Sequence, residues 1–212
     1  MGNREDLLAG AKRCLMEKGY TATTARDVAT AAGTSLAAIG YHFRTTKALL
    51  NEALAEAMAE WGEELGRALA QDAGPDATPE QRFEAAWERI IESFARLRPL
   101  WAIQFELIAQ MDRAPELREA FATANRQARL GLAEIFHRLD PAADEAAALA
   151  LGGFHQALLG GVAAQWLVDP GSAPSAKELT RTLRTVAGEF GQRRPGPGRP
   201  GPDGAPGPRS AT

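Results

Sequence analysis

The chain has 212 residues, 45 % of them apolar and 24 % charged, with a net charge of −3. That length can bury a sizeable core in one large domain or two smaller ones, and the single cysteine, Cys14, excludes an intramolecular disulfide framework. The opening MGNREDLLAG carries neither the basic start and apolar centre of a secretory signal nor the hydroxyl at position 6 that N-myristoylation wants, so a cytoplasmic protein is expected.

The charge is unevenly spread. Residues 1–50 hold seven basic side chains against four acidic ones, residues 51–192 thirteen against twenty-two, and residues 193–212 four against one. A basic head on an acidic body points to a polyanion met by the head alone.

Apolar residues recur at helical spacing nearly everywhere, no strand-like alternation persists, and an all-α fold of about nine helices is predicted. A first helix starts after Asn3, buries Leu7, Leu8, Ala11, Cys14 and Leu15, and stops at Gly19. Cys14, on that apolar face, reads as a buried, inert thiol. Thr24 and Asp27 form a capping box for a second helix that Gly33 ends, and Ser35 caps a very short third. Thr46 caps a long helix whose Leu49, Leu50, Ala53, Leu54, Trp61 and Leu65 share a face to about residue 70.

QDAGPDATPEQ, rich in Gly and Pro, marks the boundary to a second region over 75–192. There Phe83 to Leu97 mark one helix, Trp101 to about Gln110 a shorter one, and Leu117 to Leu139 a long third, with Pro99 and Pro115 separating them. Pro141 opens a helix to about Val168, and Leu179, Leu183, Val186 and Phe190 form a seam on a last helix ending near Gln192. RRPGPGRPGPDGAPGPRSAT, residues 193–212, cannot pack a core and is expected to be disordered and solvated.

The third helix is too short to carry a core, which suggests a surface task. Two short helices joined by AGTS after a longer one give a helix-turn-helix, whose second helix lies in the major groove while the first crosses the backbone. Ile39 and Phe43, four apart, anchor the reading helix inward and leave Thr34, Ser35, Leu36, Ala37, Gly40, Tyr41 and His42 outside.

TTARDVATAAGTSLAAIGYHFRTTKALL, residues 23–50, resembles the N-terminal signature of the TetR family of bacterial transcriptional regulators. The resemblance implies a three-helix DNA-binding head and a larger helical body that dimerises and often binds a small effector. It implies that Thr24 and Arg26 touch the DNA backbone, that Ser35, Leu36 and Ala37 face base edges, and that Tyr41, His42 and Lys47 hold phosphates. With Thr34, Gly40 and Thr46 these make the candidate DNA-binding set. Hydroxyl, imidazole and ammonium donors suit phosphate, and Leu36 and Ala37 suit thymine methyls. Two positions depart from the family pattern: Gly40 stands where an aromatic residue is frequent, and Ala48 follows the lysine where glutamate is common.

In the body, residues 146–168 are long and apolar enough to raise a transmembrane reading, but His155, Gln156 and Gln165 argue against it, and no membrane partner is expected. Small residues there, Gly153, Ala157 and Gly160 among them, allow close helix approach. With the seam Leu179, Leu183, Val186 and Phe190 they predict a four-helix homodimer interface, which the family resemblance also implies.

Trp87, Phe94, Trp101, Phe105, Phe121 and His155 are candidates for lining a pocket for a small apolar or aromatic effector, although aromatics at helical spacing are more often core. Met111, Phe136 and Trp166 are further lining candidates, and Gln104, Glu106, Asn125, His155 and Gln156 are candidate orienting groups. Glu134 and His137 have half of a di-iron spacing but no second copy, so no metal, no cofactor and no catalytic residue is expected. The sequence thus reads as a homodimeric, ligand-responsive repressor binding a pseudo-palindromic double-stranded DNA operator. The alternatives are a helical enzyme built on Glu106, Glu134 and the histidines, or a regulator acting through protein partners without an effector.

Overall fold

Helix starts and stops follow local chemistry. The computed structural model describes residues 2–72, 77–113 and 115–191, which form eight α-helices and no strand: α1 (Gly2–Lys18), α2 (Ala25–Ala32), α3 (Leu36–Phe43), α4 (Thr46–Asp72), α5 (Pro79–Ile108), α6 (Pro115–His137), α7 (Glu145–Val168) and α8 (Ala176–Gly191). A 3₁₀ turn, Met111–Arg113, joins α5 to α6. The predicted tail, residues 193–212, and positions 73–76 of the predicted linker lie outside the described residues.

Thr24 and Asp27 close the expected capping box on α2, and Gly33 ends that helix at φ 64°. Gly33 N–H bonds the Thr30 carbonyl and Thr34 N–H the Ala29 carbonyl, a Schellman ending that needs the left-handed backbone glycine adopts without strain. Thr78 and Gln81 form a second capping box on α5, and Ser175 with Glu178 a third on α8.

Four expected boundaries move. The first helix takes in Asn3 rather than starting after it, because once a helix is nucleated each further residue adds a backbone bond. Thr45, not Thr46, caps α4: its Oγ1 accepts from Ala48 N–H at 3.0 Å, and Thr46 is the first helical residue. Asp140 accepts from Ala142 N–H at 2.8 Å and holds Pro141 in a turn, so α7 starts at Glu145 under an Asp144 cap. Pro99 does not break the chain into two helices, and the expected count of about nine falls to eight among the described residues. A mid-helix proline costs about 3 kcal/mol. Here Leu97, Leu100, Trp101 and Ile103 bury on either side of it along one stripe, and that packing carries α5 through.

The helix α4 runs through one continuous core cluster. Its first turns bury Leu49, Leu50, Ala53 and Leu54 in the same cluster as Leu7, Leu15, Val28, Ile39 and Phe43. Further along, Trp61, Leu65 and Leu69 are buried, with the Trp61 ring edge-on to Trp101 of α5 at 5.3 Å. Cys14 is buried, and its surroundings push the thiol pKa up, burial first and Asp27 second.

Two helix crossings are set by glycine. A Cβ at Gly10 of α1 would come within 2.9 Å of the Ala32 backbone nitrogen in α2, and one at Gly152 of α7 within 1.8 Å of the Arg129 carbonyl oxygen in α6. The helices therefore meet backbone to backbone. At Gly160 and Gly161 nothing stands within 4 Å. Gly152→Ala is expected to destabilise the chain by about 1–3 kcal/mol or more, whereas Gly160→Ala should leave stability equal or raised by about 0.5–1 kcal/mol. Urea unfolding of the two variants checks the contrast, and equal midpoints would contradict the crossing geometry.

Candidate nucleic-acid interface and body cluster

The reading helix is split by its own periodicity. In α3, Ala38, Ile39 and Phe43 face inward and are buried, while Leu36, Ala37, Gly40 and Tyr41 line the opposite face. Leu36 is 50 % exposed and Tyr41 85 %, high values for large apolar and aromatic side chains. His42 sits half-buried at the margin, its ring edge-on to Tyr41 at 4.9 Å. Ser35 takes the N-cap position without a side-chain cap bond, and it is exposed; Thr34 is half-buried.

Salt bridges take three of the head's seven cations out of contention, and a backbone bond takes a fourth. Arg4 pairs with Glu52; Lys12 reaches Glu56 at 3.3 Å and Glu60 at 2.6 Å; Lys18 meets Asp27 at 2.5 Å. Arg13 donates to the Ala31 carbonyl. Exposed and without an ion pair among the described residues are Arg26 in the first turn of α2, Arg44 directly after α3, and Lys47 in the first turn of α4. The basic excess of the head thus resolves into three cations that bracket the bare face of α3.

Arg44 was absent from the residues read off the sequence. It adopts φ 67°, a left-handed backbone that costs a non-glycine residue strain, and its N–H closes α3 on the Gly40 carbonyl at 3.2 Å. The only sequence signal for it is a basic residue between the last anchor, Phe43, and the cap of the next helix. Thr24, by contrast, is committed to its own helix: its hydroxyl donates to Asp27 at 2.6 Å and accepts from Asp27 N–H. Hydrogen bonds from Lys18 and Thr24 hold the Asp27 carboxyl well below the usual carboxylate range. Gly40 has open space where a Cβ would stand, so no packing requires glycine there.

In the body the six candidate lining residues fall into separate places. Phe94 and Trp101 pack edge to face at 5.6 Å, next to Trp61 and Trp166. Trp87 and His155 belong to a second cluster with Phe83 and Phe136, in which the His155 and Phe136 rings stack at 4.0 Å with planes 1° apart. Phe105 and Phe121 are half-buried against the core. A surface cleft of about 250 Å³ between α4 and α5 is lined by Trp61, Glu64, Leu65, Glu92, Ser93 and Arg96, and by none of the six.

The second cluster holds unmet polar atoms. His155 is 3 % exposed; its Nε2 shares a hydrogen bond of 2.8 Å with Nε2 of His137, and its Nδ1 has no partner. Trp87 Nε1 and Arg82 Nε are likewise buried and unpartnered, as is Trp101 Nε1 in the first cluster. Leaving such a group unsatisfied costs about 1–3 kcal/mol, which makes these unpartnered atoms on residues of the cluster and beside it a feature in need of a reason. Burial, then the neighbouring His137, pushes the His155 pKa down to about 4; burial and then Arg82 lower that of His137.

Around this cluster the helices are tied by polar contacts that use two predicted orienting groups. Arg129 donates to Gln156 at 2.9 Å, and Gln156 to Asn125 at 3.1 Å. Glu106 instead accepts from Thr21, between α1 and α2. The residues of the enzyme alternative do not assemble: Glu106 meets the head, Glu134 is exposed, and the two body histidines bond each other. Among the described residues no group of three His, Cys, Asp or Glu side chains could hold a metal.

Of the seam residues, Leu179 and Leu183 pack against the core of their own chain, whereas Val186 and Phe190 are exposed, Phe190 by 86 %. On α7, Ala157 is exposed; Gly153 and Gly160 are half-buried, and Gly153 lies beside the Arg129 side chain. Leu151 and Phe154, not singled out from the sequence, add exposed apolar surface on that helix. By length and composition α7 could cross a membrane, yet Ala148, Gly152, His155, Leu159, Val162 and Ala163 are buried within the fold.

Comparisons with known proteins agree with this geometry. Residues 7–53 match the family model of bacterial regulatory proteins of the tetR family. A candidate transcriptional regulator of Streptomyces coelicolor A3(2) shares the fold at 20 % identity and TM-score 0.61, covering 88 % of this chain and 98 % of its own. The multidrug binding protein EbrR, complexed with imidazole, is similar at 26 % identity and TM-score 0.59, covering 86 % and 93 %. Its complex with proflavin gives 21 % identity and TM-score 0.58, with coverage of 87 % and 99 %. No curated protein matches the sequence. The TetR-like signature therefore stands over the head, and the all-α architecture of the described residues is shared with these proteins.

The histidine pair makes stability depend on acid. An unfolded His155 titrates near 6.5 and the folded one near about 4, so the unfolded chain binds more protons between those values and stability falls as pH drops through that window. Above it the contribution is fully present. Thermal unfolding from pH 7.5 to 4.5 should show this slope, flattened in His155→Phe; an unchanged slope would show that His155 already titrates alike in both states.

Proposed function

We propose that this chain is a cytoplasmic, homodimeric DNA-binding transcriptional regulator, a repressor released from a pseudo-palindromic operator by a small effector. The observation that carries the reading is the bare face of α3, Leu36, Ala37, Gly40 and Tyr41, bracketed by the unpaired cations Arg26, Arg44 and Lys47. Apolar side chains on that face suit thymine methyls, and the absence of a Cβ at Gly40 lets the backbone approach the groove. The cations, with Tyr41 and His42, fix register on phosphates; Ser35, Thr34 and Thr46 flank them as further polar contacts.

Exposed Leu151, Phe154 and Ala157 on α7 and Val186 and Phe190 on α8 support pairing with a second copy, since large apolar side chains left in solvent favour an interaction site. Two-fold pairing sets two reading helices about 34–36 Å apart on successive turns of DNA. The small-molecule complexes of EbrR support an effector bound in the body. Trp87, Phe94, Trp101, Phe105, Phe121 and His155 remain the candidates for its surroundings. An effector releases DNA only by binding the non-operator conformation more tightly.

Selection of sites from random duplex DNA by the purified protein tests the core of this reading. A two-fold-related site is expected, with affinity that falls steeply as salt rises. Lys47→Ala should weaken binding across sequences and lower the salt slope by about 1, while Leu36→Ala should relax base preference at single positions. No enrichment by a folded dimer, with or without candidate effectors, would overturn the assignment.

A further inference from the structure

We propose that the Phe83, Trp87, Phe136 and His155 cluster is the effector site, and that it takes a flat aromatic carboxylate. This rests on the reading of the chain as an effector-responsive regulator. The walls are four rings contributed by α5, α6 and α7: Phe83 lies 5.7 Å from Phe136 and 6.0 Å from His155, and Trp87 6.4 Å from Phe136. Their side chains are buried; Trp87 Nε1 and His155 Nδ1 lack partners, as does Nε of Arg82, whose Nη1 donates to the Ala77 carbonyl.

The unmet atoms specify the ligand. Trp87 Nε1 and Arg82 Nε can only donate. When His155 Nε2 accepts from His137, its proton sits on Nδ1 and becomes a third donor; an acceptor brought into the cluster selects that tautomer. Donors without acceptors call for a group that only accepts, and an ionised carboxylate does so with two oxygens. Charge agrees. Arg82 is the charged neighbour that bears on His137, no carboxylate contributes to the shift of either histidine, and the resulting field favours an anion over a cation. The cleft between α4 and α5, lined by Glu64 and Glu92 as well as Arg96, lacks this one-sided character.

The rings are in contact without ligand, so binding opens the stack of His155 on Phe136 and parts α7 from α6 there. The closed state already lacks the hydrogen bonds that the carboxylate would supply, which gives the ligand its preference for the open one. Since α7 also presents Leu151 and Phe154 outward, the opening acts on the surface that pairs the two copies.

The test titrates the full-length protein with 1-naphthoate and with the cation of the same shape, 1-naphthylmethylammonium, following calorimetric binding, Tm and retention of the selected operator. Naphthoate should bind about ten-fold or more tightly than the cation, raise Tm and release operator. Trp87→Phe, which keeps a ring and removes the N–H, and Arg82→Gln should each weaken naphthoate about ten-fold with the fold retained. Equal affinity for the two probes, no binding of naphthoate, or binding indifferent to both substitutions would overturn the site. If proflavin or the naphthyl cation then still releases operator, the effector reading stands and only this site falls; if no compound does, the effector reading falls with it.

Discussion

The apolar stripe of α4 holds the molecule together. One helix of 27 residues buries its first turns in the head and its later turns against α5, so neither region completes its core without it. On its outer side Glu52, Glu56 and Glu60, four apart, take Arg4 and Lys12 of α1. Exposed pairs of this kind stabilise little individually. Their larger effect is to fix which cations the head can offer outward. A net positive charge spread over fifty residues becomes a local one, concentrated where the reading helix is bare.

The body follows another rule. Where α6 and α7 cross, Gly152 brings the two backbones into contact, and beside that crossing the interior keeps polar atoms that the packing does not satisfy. Close approach and unmet donors pull in opposite directions: the first fixes the crossing, the second leaves part of the same interface short of hydrogen bonds. A core selected for stability alone would fill such positions with leucine or phenylalanine. Here a buried imidazole, His155, takes such a place and bonds the exposed His137.

Much of this was legible in the sequence because it is local. Thr24 with Asp27, Gly33, and the inward pair Ile39 and Phe43 are short-range signals, and each appears where the spacing placed it. The misjudged points depend on burial, turn bonding or backbone conformation that periodicity does not carry, and some on partners far along the chain. Pro99 reads as a break until the buried stripe on both sides of it is known, and Pro141 as a start until Asp140 is seen to hold the turn. The cations of α1 could not be discounted without their glutamates on α4, nor Arg44 recognised without its backbone. The clusters of aromatic residues were visible as periodic positions, but which rings meet is a matter of helix crossing. The partition of Phe94 and Trp101 from Trp87 and His155 lies beyond periodicity.

The uninterrupted α5 has a mechanical side. Its 30 residues make a rod of about 45 Å, free of the joint that a break at Pro99 would have introduced. One end begins at the Thr78 cap, and near the other Glu106 grips Thr21 in the loop between α1 and α2, where the Tyr20 hydroxyl also ties to Asn51 of α4 at 2.7 Å. A stiff beam turns rotation at one end into translation at the other, and over that length a tilt of about 5° amounts to about 4 Å. That is comparable to one base-pair step, so a tilt that is slight on the scale of the body's helices is large on the scale of a DNA groove.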